Sequence, residues 1–149
     1  MEQTPKHWMV RFSNKGVSYD GFKWNPIGEW TIAPDWYPAP VCGGGLHGQG
    51  EGGWGYCQSG RRFELCEIEN FVIVDGDKVK CQKAKIIAID KEAWGMLLEL
   101  TNGNFLGSLD LRRYNHPLPE GFTHCGGYPY LGEYNHPLPK GFKQVNIGE

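Results

Sequence analysis

The side chains best suited to chemistry fall in the first half of the chain. Cys42, His47, Cys57 and Cys66 present three thiols and one imidazole, the ligand set of a Cys3His zinc site. Their C-x4-H-x9-C-x8-C spacing lacks the paired C-x2-C knuckles that give a metal two ligands from one turn, so the thiols are expected to be reduced, metal-free small hydrophobes. The same stretch, VCGGGLHGQGEGGWGY, holds eight glycines in sixteen residues. Successive amides with free φ can cradle an anion, which would suit a protein that sequesters a nucleotide signal. Neither G-x-x-x-x-G-K-S/T nor a helix-opening G-x-G-x-x-G is present, so ordinary mononucleotide folds are not indicated. A segment this costly to order is expected to carry a binding surface. Trp54 and Tyr56 would supply contact area there, and His47 and Glu51 directional polar contacts.

A second set of candidates comes from a repeat. YNHPLPEGF at residues 114–122 returns as YNHPLPKGF at residues 134–142, twenty positions on. That period suits one solenoid coil, a strand and a turn, with Leu118, Phe122, Leu138 and Phe142 stacking into an apolar ladder. Tyr114, His116 and their copies Tyr134 and His136 would then align on one surface, stabilising the coil or meeting a protein partner. Two coils bury too little apolar surface to stand alone, so residues 104–149 are expected to pack on a module formed by residues 1–103.

Positioning these residues requires a β-rich scaffold. Residues 7–12 (HWMVRF) and 17–24 (VSYDGFKW) predict a hairpin across SNKG, and WTIA a short strand in a proline-stiffened, aromatic stretch. RFELCEIENFVIVDG and KVKCQKAKIIAID read as two strands paired around Asp75-Gly76, with Glu67 and Glu69 on a solvated face and Lys78 and Lys80 exposed beside Lys83 or Lys85 as edge protection. Residues 91–100 are the one good helix candidate. Asp90 is the expected N-cap and Asn102-Gly103 the stop, and Trp94, Leu97 and Leu98 lie on the face turned to the sheet. The fold class expected is mainly β (α+β): a compact β-rich module with a single helix and a two-coil solenoid-like repeat.

Composition limits the partners. A net charge of -2 with 21% charged residues argues against a general nucleic-acid or membrane-surface binder, and no segment approaches the ~20 apolar residues needed to span a bilayer. Five scattered cysteines fit a reducing compartment better than a secreted disulfide framework, so a cytoplasmic location is expected.

The string GVSYDGFKWNPIGEWTIAPDWYPAPVCGGGLHG, followed by FELCEIENFVIVDGDKVKCQKAKI, resembles an uncharacterised domain of phage and prophage proteins. That family has a C-x-x-G-L/F-H turn after a G-F-x-W/Y strand and often carries short leucine-rich-like repeats, which the L-P-x-G-F units look like. This chain departs from the pattern in its GGGLHG and its two repeats. His47, Tyr56 and Glu67 are also similar to the His-Tyr-Glu set of ADP-ribosyltransferases, provided the three converge on one cleft. Without a triad, metal centre or cofactor fingerprint, binding is the better expectation than catalysis. The phage-like resemblance implies an accessory protein in the cytoplasm of an infected bacterial host. Such a protein would need no cofactor and would inhibit a host protein or complex in counter-defence, as anti-CRISPR proteins do. A modifying enzyme and a nucleotide-sequestering protein are the alternatives.

Overall fold

The structure, a computed structural model, describes residues 5–16, 22–41, 43–50, 60–74, 78–105, 114, 116–121, 124–125, 136–137 and 143–144. Among them the elements run β1 (Trp8–Ser13), β2 (Trp30–Ile32), β3 (Leu46–Gly50), β4 (Arg62–Val74), β5 (Lys78–Ile89), α1 (Asp90–Thr101), β6 (Asn104–Phe105), β7 (His124–Cys125) and β8 (Lys143–Gln144). β4 and β5 form a long antiparallel hairpin from Val74↔Lys78 to Glu64↔Ile89, as their β-branched content leads one to expect. The turn residues themselves, 75–77, lie outside the described residues. β1 runs antiparallel along the near half of β4, from Trp8↔Glu67 to Ser13↔Arg62. β3 bridges β1 and β5, which closes a four-strand barrel in the order β4-β1-β3-β5, and β2 adds to β5 beyond β3. The expected partner of β1 differs from the observed ones. Residues 17–21 lie outside the described residues, and what returns to the SNKG turn is Trp24, whose amide donates to the Gly16 carbonyl at 2.9 Å.

The wall separates two apolar clusters, and strand alternation assigns residues to each. Trp8, Val10 and Phe12 of β1 join Phe63 and Leu65 of β4 beneath α1, while Met9 joins Leu46, Cys66, Ile68, Cys81 and Ile86 inside the barrel. Both long strands change face along their length. Leu65 pairs with Ala88 but Cys66 with Ile86, so Ile87 is the extra residue of a β-bulge, and Ile86 and Ala88 serve different clusters although they are two apart. Farther along, Asn70 adopts φ 53° and its Nδ2 donates to Gln82 Oε1 at 2.8 Å. Ile68 and Phe71 of β4, and Cys81 and Ala84 of β5, all lie on the inner cluster although each pair is three residues apart.

α1 packs Ala93, Trp94 and Leu97 against this wall, and Trp94 stacks on Phe63 with ring centroids 3.6 Å apart. Its end follows the sequence signal: Asn102 is left-handed and Gly103 donates to the Leu98 carbonyl at 3.1 Å. Its start does not. Asp90 sits inside the helix at φ 47° rather than capping it, and its carboxylate accepts from the Phe63 amide at 3.0 Å and from the Tyr114 hydroxyl at 3.2 Å. The side chain is turned across the core toward β4 and Tyr114 instead of toward the first turn.

After α1, three two-residue strands pair in parallel in the order β6-β7-β8. Asn104 lies opposite His124 and His124 opposite Lys143, so successive strands are displaced by twenty and nineteen positions, close to the period of the repeat. No helix among the described residues is long and apolar enough to cross a membrane.

Candidate functional site

Among the described residues the barrel interior carries one charged cluster. Glu64 is fully buried, and its Oε2 accepts from the Ser13 hydroxyl at 2.5 Å and from Arg62 Nε at 2.7 Å. Arg11 Nη1 lies 3.5 Å from the other carboxylate oxygen, and its guanidinium carbon stacks 3.9 Å from the Trp24 ring centroid. Charges in this setting hold position through mutual pairing, and removing one partner of such a pair typically costs about 3–5 kcal/mol. The cluster locks the end of the barrel where Gly16 donates to Ser13 Oγ at 2.9 Å. Beside it, Cys66 and Cys81 are free and buried, and burial pushes both thiols up, that of Cys81 to about 12.

The Gly-rich segment resolves into wall rather than loop over part of its length. Leu46–Gly50 is β3, seated between β1 and β5. A side chain at Gly48 would place its Cβ 2.8 Å from Met9 Sδ and from the Val10 carbonyl, so the close crossing of β1 and β3 demands glycine there. Gly44, at φ 66°, similarly faces Tyr37 Cβ at 2.6 Å. At these positions glycine serves packing. Cys42 and residues 51–59, with Glu51, Trp54, Tyr56 and Cys57, lie outside the described residues.

His47 pairs with Lys80 across β3 and β5, whereas its neighbour Leu46 pairs with Cys81 on the inner cluster. His47 and Cys66 therefore leave opposite faces of the wall and do not converge on one ion. Among the described residues no group of three or more His, Cys, Asp or Glu is placed to hold a metal. Glu67 lies opposite Lys85, five residues along β5 from the His47 partner, or about 16 Å at ordinary strand rise. His47 and Glu67 are thus brought to one strand but not to one cleft.

Lys80 is not exposed. It is fully buried: its Nζ donates to the Gly43 carbonyl at 2.8 Å and lies 5.8 Å and 5.5 Å from the Trp36 and Tyr37 ring centroids. The Trp36–Tyr37 stretch folds back over β5 and covers it. Lys83 and Lys85, by contrast, remain on the outer face, 5.2 Å and 5.0 Å from the Trp30 ring and 3.4 Å from Glu69 and Glu67 respectively. Exposed ion pairs of this kind contribute about 0–1 kcal/mol each, so they aim the lysines more than they stabilise the sheet.

Trp30 and Ile32 share that face, being alternate residues of β2 opposite Lys85 and Lys83. Ile32 is 58% exposed and Tyr37 56%, and Ile27 and Val41 are also largely open to solvent. The sequence reads here as a short strand in a proline-stiffened, aromatic stretch, with nothing to mark a surface. The missed signal was its two tryptophans and one tyrosine among four prolines, more flat apolar surface than a connection of that length needs.

Of the repeat residues, Tyr114 is a correction. It is fully buried, receives a hydrogen bond from Trp94 Nε1 at 3.0 Å and donates to Asp90, so it belongs to the core beneath α1 rather than to a surface row. His116 is exposed, 5.1 Å from the Tyr114 ring, His136 is half-buried, and Tyr134 lies outside the described residues. Compared with protein-family models, with curated proteins and with solved structures, the chain matches none.

Proposed function

We propose that this chain is a binding module that inhibits a protein of a bacterial host, as a phage accessory factor in counter-defence, and that its contact face is the outer side of β2 and β5. The observation that carries the reading is the concentration of exposed apolar side chains. Of the five large hydrophobics most open to solvent among the described residues, Ile27, Ile32, Tyr37 and Val41 fall within one fifteen-residue stretch. Trp30 and two oriented lysines lie beside Ile32. Aromatic anchors ringed by polar and charged groups are the usual composition of protein-binding hot spots. The resemblance to phage domains supports the bacterial target. Residues 104–149 are read as two repeats docked on the module of residues 1–103, a reading supported by the burial of Tyr114 and Leu118 in the cluster beneath α1 and by the parallel pairing of β6, β7 and β8.

Capture from a bacterial lysate, quantified by mass spectrometry, tests this with wild type and the Ile32→Asp and Tyr37→Ala variants. Ile32 is exposed, so its variant should melt as wild type does, whereas Tyr37→Ala also uncovers Lys80 and is compared at a temperature where it remains folded. A stoichiometric partner should be lost, with affinity down on the order of 30-fold for an anchor worth about 2 kcal/mol. Capture of the same partner at the same affinity by both variants would remove this face from the reading.

A further inference from the structure

Lys80 is fully buried, and its ammonium, which has three protons to donate, gives one to the Gly43 carbonyl at 2.8 Å between the rings of Trp36 and Tyr37. An apolar side chain of the same length would fill this volume without desolvating a charge, so what the ammonium adds is direction. What it directs is the strap of residues 34–44. Ahead of the strap, the Ala33 amide donates to the Gln82 carbonyl of β5 at 2.8 Å, and after it β3 begins at Leu46. In between, the chain closes on itself: the Tyr37 amide donates to the Gly44 carbonyl at 2.9 Å and the Val41 amide to the Ala39 carbonyl at 2.7 Å. Among the described residues, its one hydrogen bond to the barrel is the one from Lys80. Gly43 serves that bond. A Cβ there would meet nothing within 4 Å, so its glycine answers to φ 91° rather than to space, and that turn of the backbone leads its carbonyl to Lys80.

We propose that Lys80 is the latch of this strap: the charge of its ammonium, rather than the volume of its side chain, holds residues 34–44 against β5 and thereby positions Tyr37 for contact with a partner. Tyr37 is the joint between the two roles, since its ring faces the ammonium at 5.5 Å and the residue is still 56% exposed. A hydrogen bond from a charged donor and two ring faces are directional where apolar packing is not. An anchor fixed before contact also loses less freedom on binding. Without the cation the strap keeps its own closure but lifts from a barrel whose ladders stay paired. The positioning role rests on the contact face proposed above, whereas the latch itself does not.

Amide hydrogen exchange followed by mass spectrometry separates charge from volume. In Lys80→Met, which keeps the length of the side chain, exchange over residues 35–37 should rise on the order of tenfold or more while β1 and β4 keep their protection. In Lys80→Ala the same rise should be reversed, saturably, by n-propylammonium and not by 1-propanol. Should Lys80→Ala alone lose the protection of β1 and β4, Lys80→Met decides. Wild-type protection of residues 35–37 in Lys80→Met, no reversal by n-propylammonium, or equal reversal by 1-propanol would each overturn the latch, and loss of β1 and β4 protection in both variants would show that Lys80 holds the barrel instead. With the partner captured from lysate, Lys80→Met should bind on the order of tenfold more weakly without a lower melting temperature. Wild-type affinity despite a loosened strap would overturn the positioning role. Retention of the partner by Ile32→Asp and Tyr37→Ala would instead sink the contact face and leave the exchange result standing.

Discussion

At the scale of single residues, burial decides which chemistry is open. Cys66 and Cys81 are thiols held neutral by the apolar barrel interior, which pushes both well above the ordinary value near 9. A raised thiol pKa favours folding only while the unfolded thiol is protonated too, so its contribution is intact below about pH 9 and declines as the pH rises toward the folded value. For Cys81, pushed up to about 12, the loss between pH 8 and 10 is on the order of 1 kcal/mol, and Cys66 adds a loss of the same sign. Urea unfolding at those two pH values should therefore show a steeper decline for wild type than for a Cys66→Ala/Cys81→Ala variant, and parallel declines would contradict the burial of these groups. Lys80 shows how little of this is legible in a sequence. An alternating run of lysines and apolar residues reads as a solvated strand face, and only the return of Trp36 and Tyr37 over β5, a contact more than forty positions away, makes one of those lysines a core residue.

At the scale of elements, strands and helix were largely legible and their faces were not. The aromatic and β-branched content of β1, β4 and β5 marked them, and Asn102-Gly103 marked the end of α1, because propensity and turn chemistry are local. β3 was not legible. Its glycines depress strand propensity, and Gly48 is required because β1 crosses within reach of any side chain added there, a requirement set by a strand far away in sequence. The changes of face at Ile87 and Asn70 are similarly invisible to a period of two. Asn70 holds a left-handed backbone that β-branched residues adopt at a cost of about 1–2 kcal/mol, whereas glycine adopts it freely. Asn70→Val should accordingly lower stability by about that amount in chemical denaturation and Asn70→Gly by much less. Equal losses would show that the bond to Gln82, not the backbone, holds the turn of face.

At the scale of the whole molecule, the candidate face was legible only in outline. The expected partners of His47, Trp54 and Tyr56, lie outside the described residues; what the structure places near its strand neighbour Lys80 are Trp36 and Tyr37, with Trp30 farther along β5, from a stretch that precedes the glycines. The barrel closes by setting the first strand between two others: β1 is paired over six residues with β4 and also with β3. Closure of that kind makes the molecule mechanically polar. Traction applied ahead of Trp8 meets two ladders at once, whereas among the described residues traction from the far end first meets β8, two residues paired with β7. Forced unfolding follows the barrier that the load encounters rather than overall stability. A processive unfoldase engaging a tag at the front of the chain should therefore stall where the same machine entering from the rear does not, measurable as a longer single-turnover half-life for front-tagged protein. Equal half-lives would mean that the ring does not bear the load. If the polarity holds, the face on β2 and β5 would outlast proteolytic attack from one direction and not the other, and the lifetime of whatever it binds would depend on which end of the chain a protease grips.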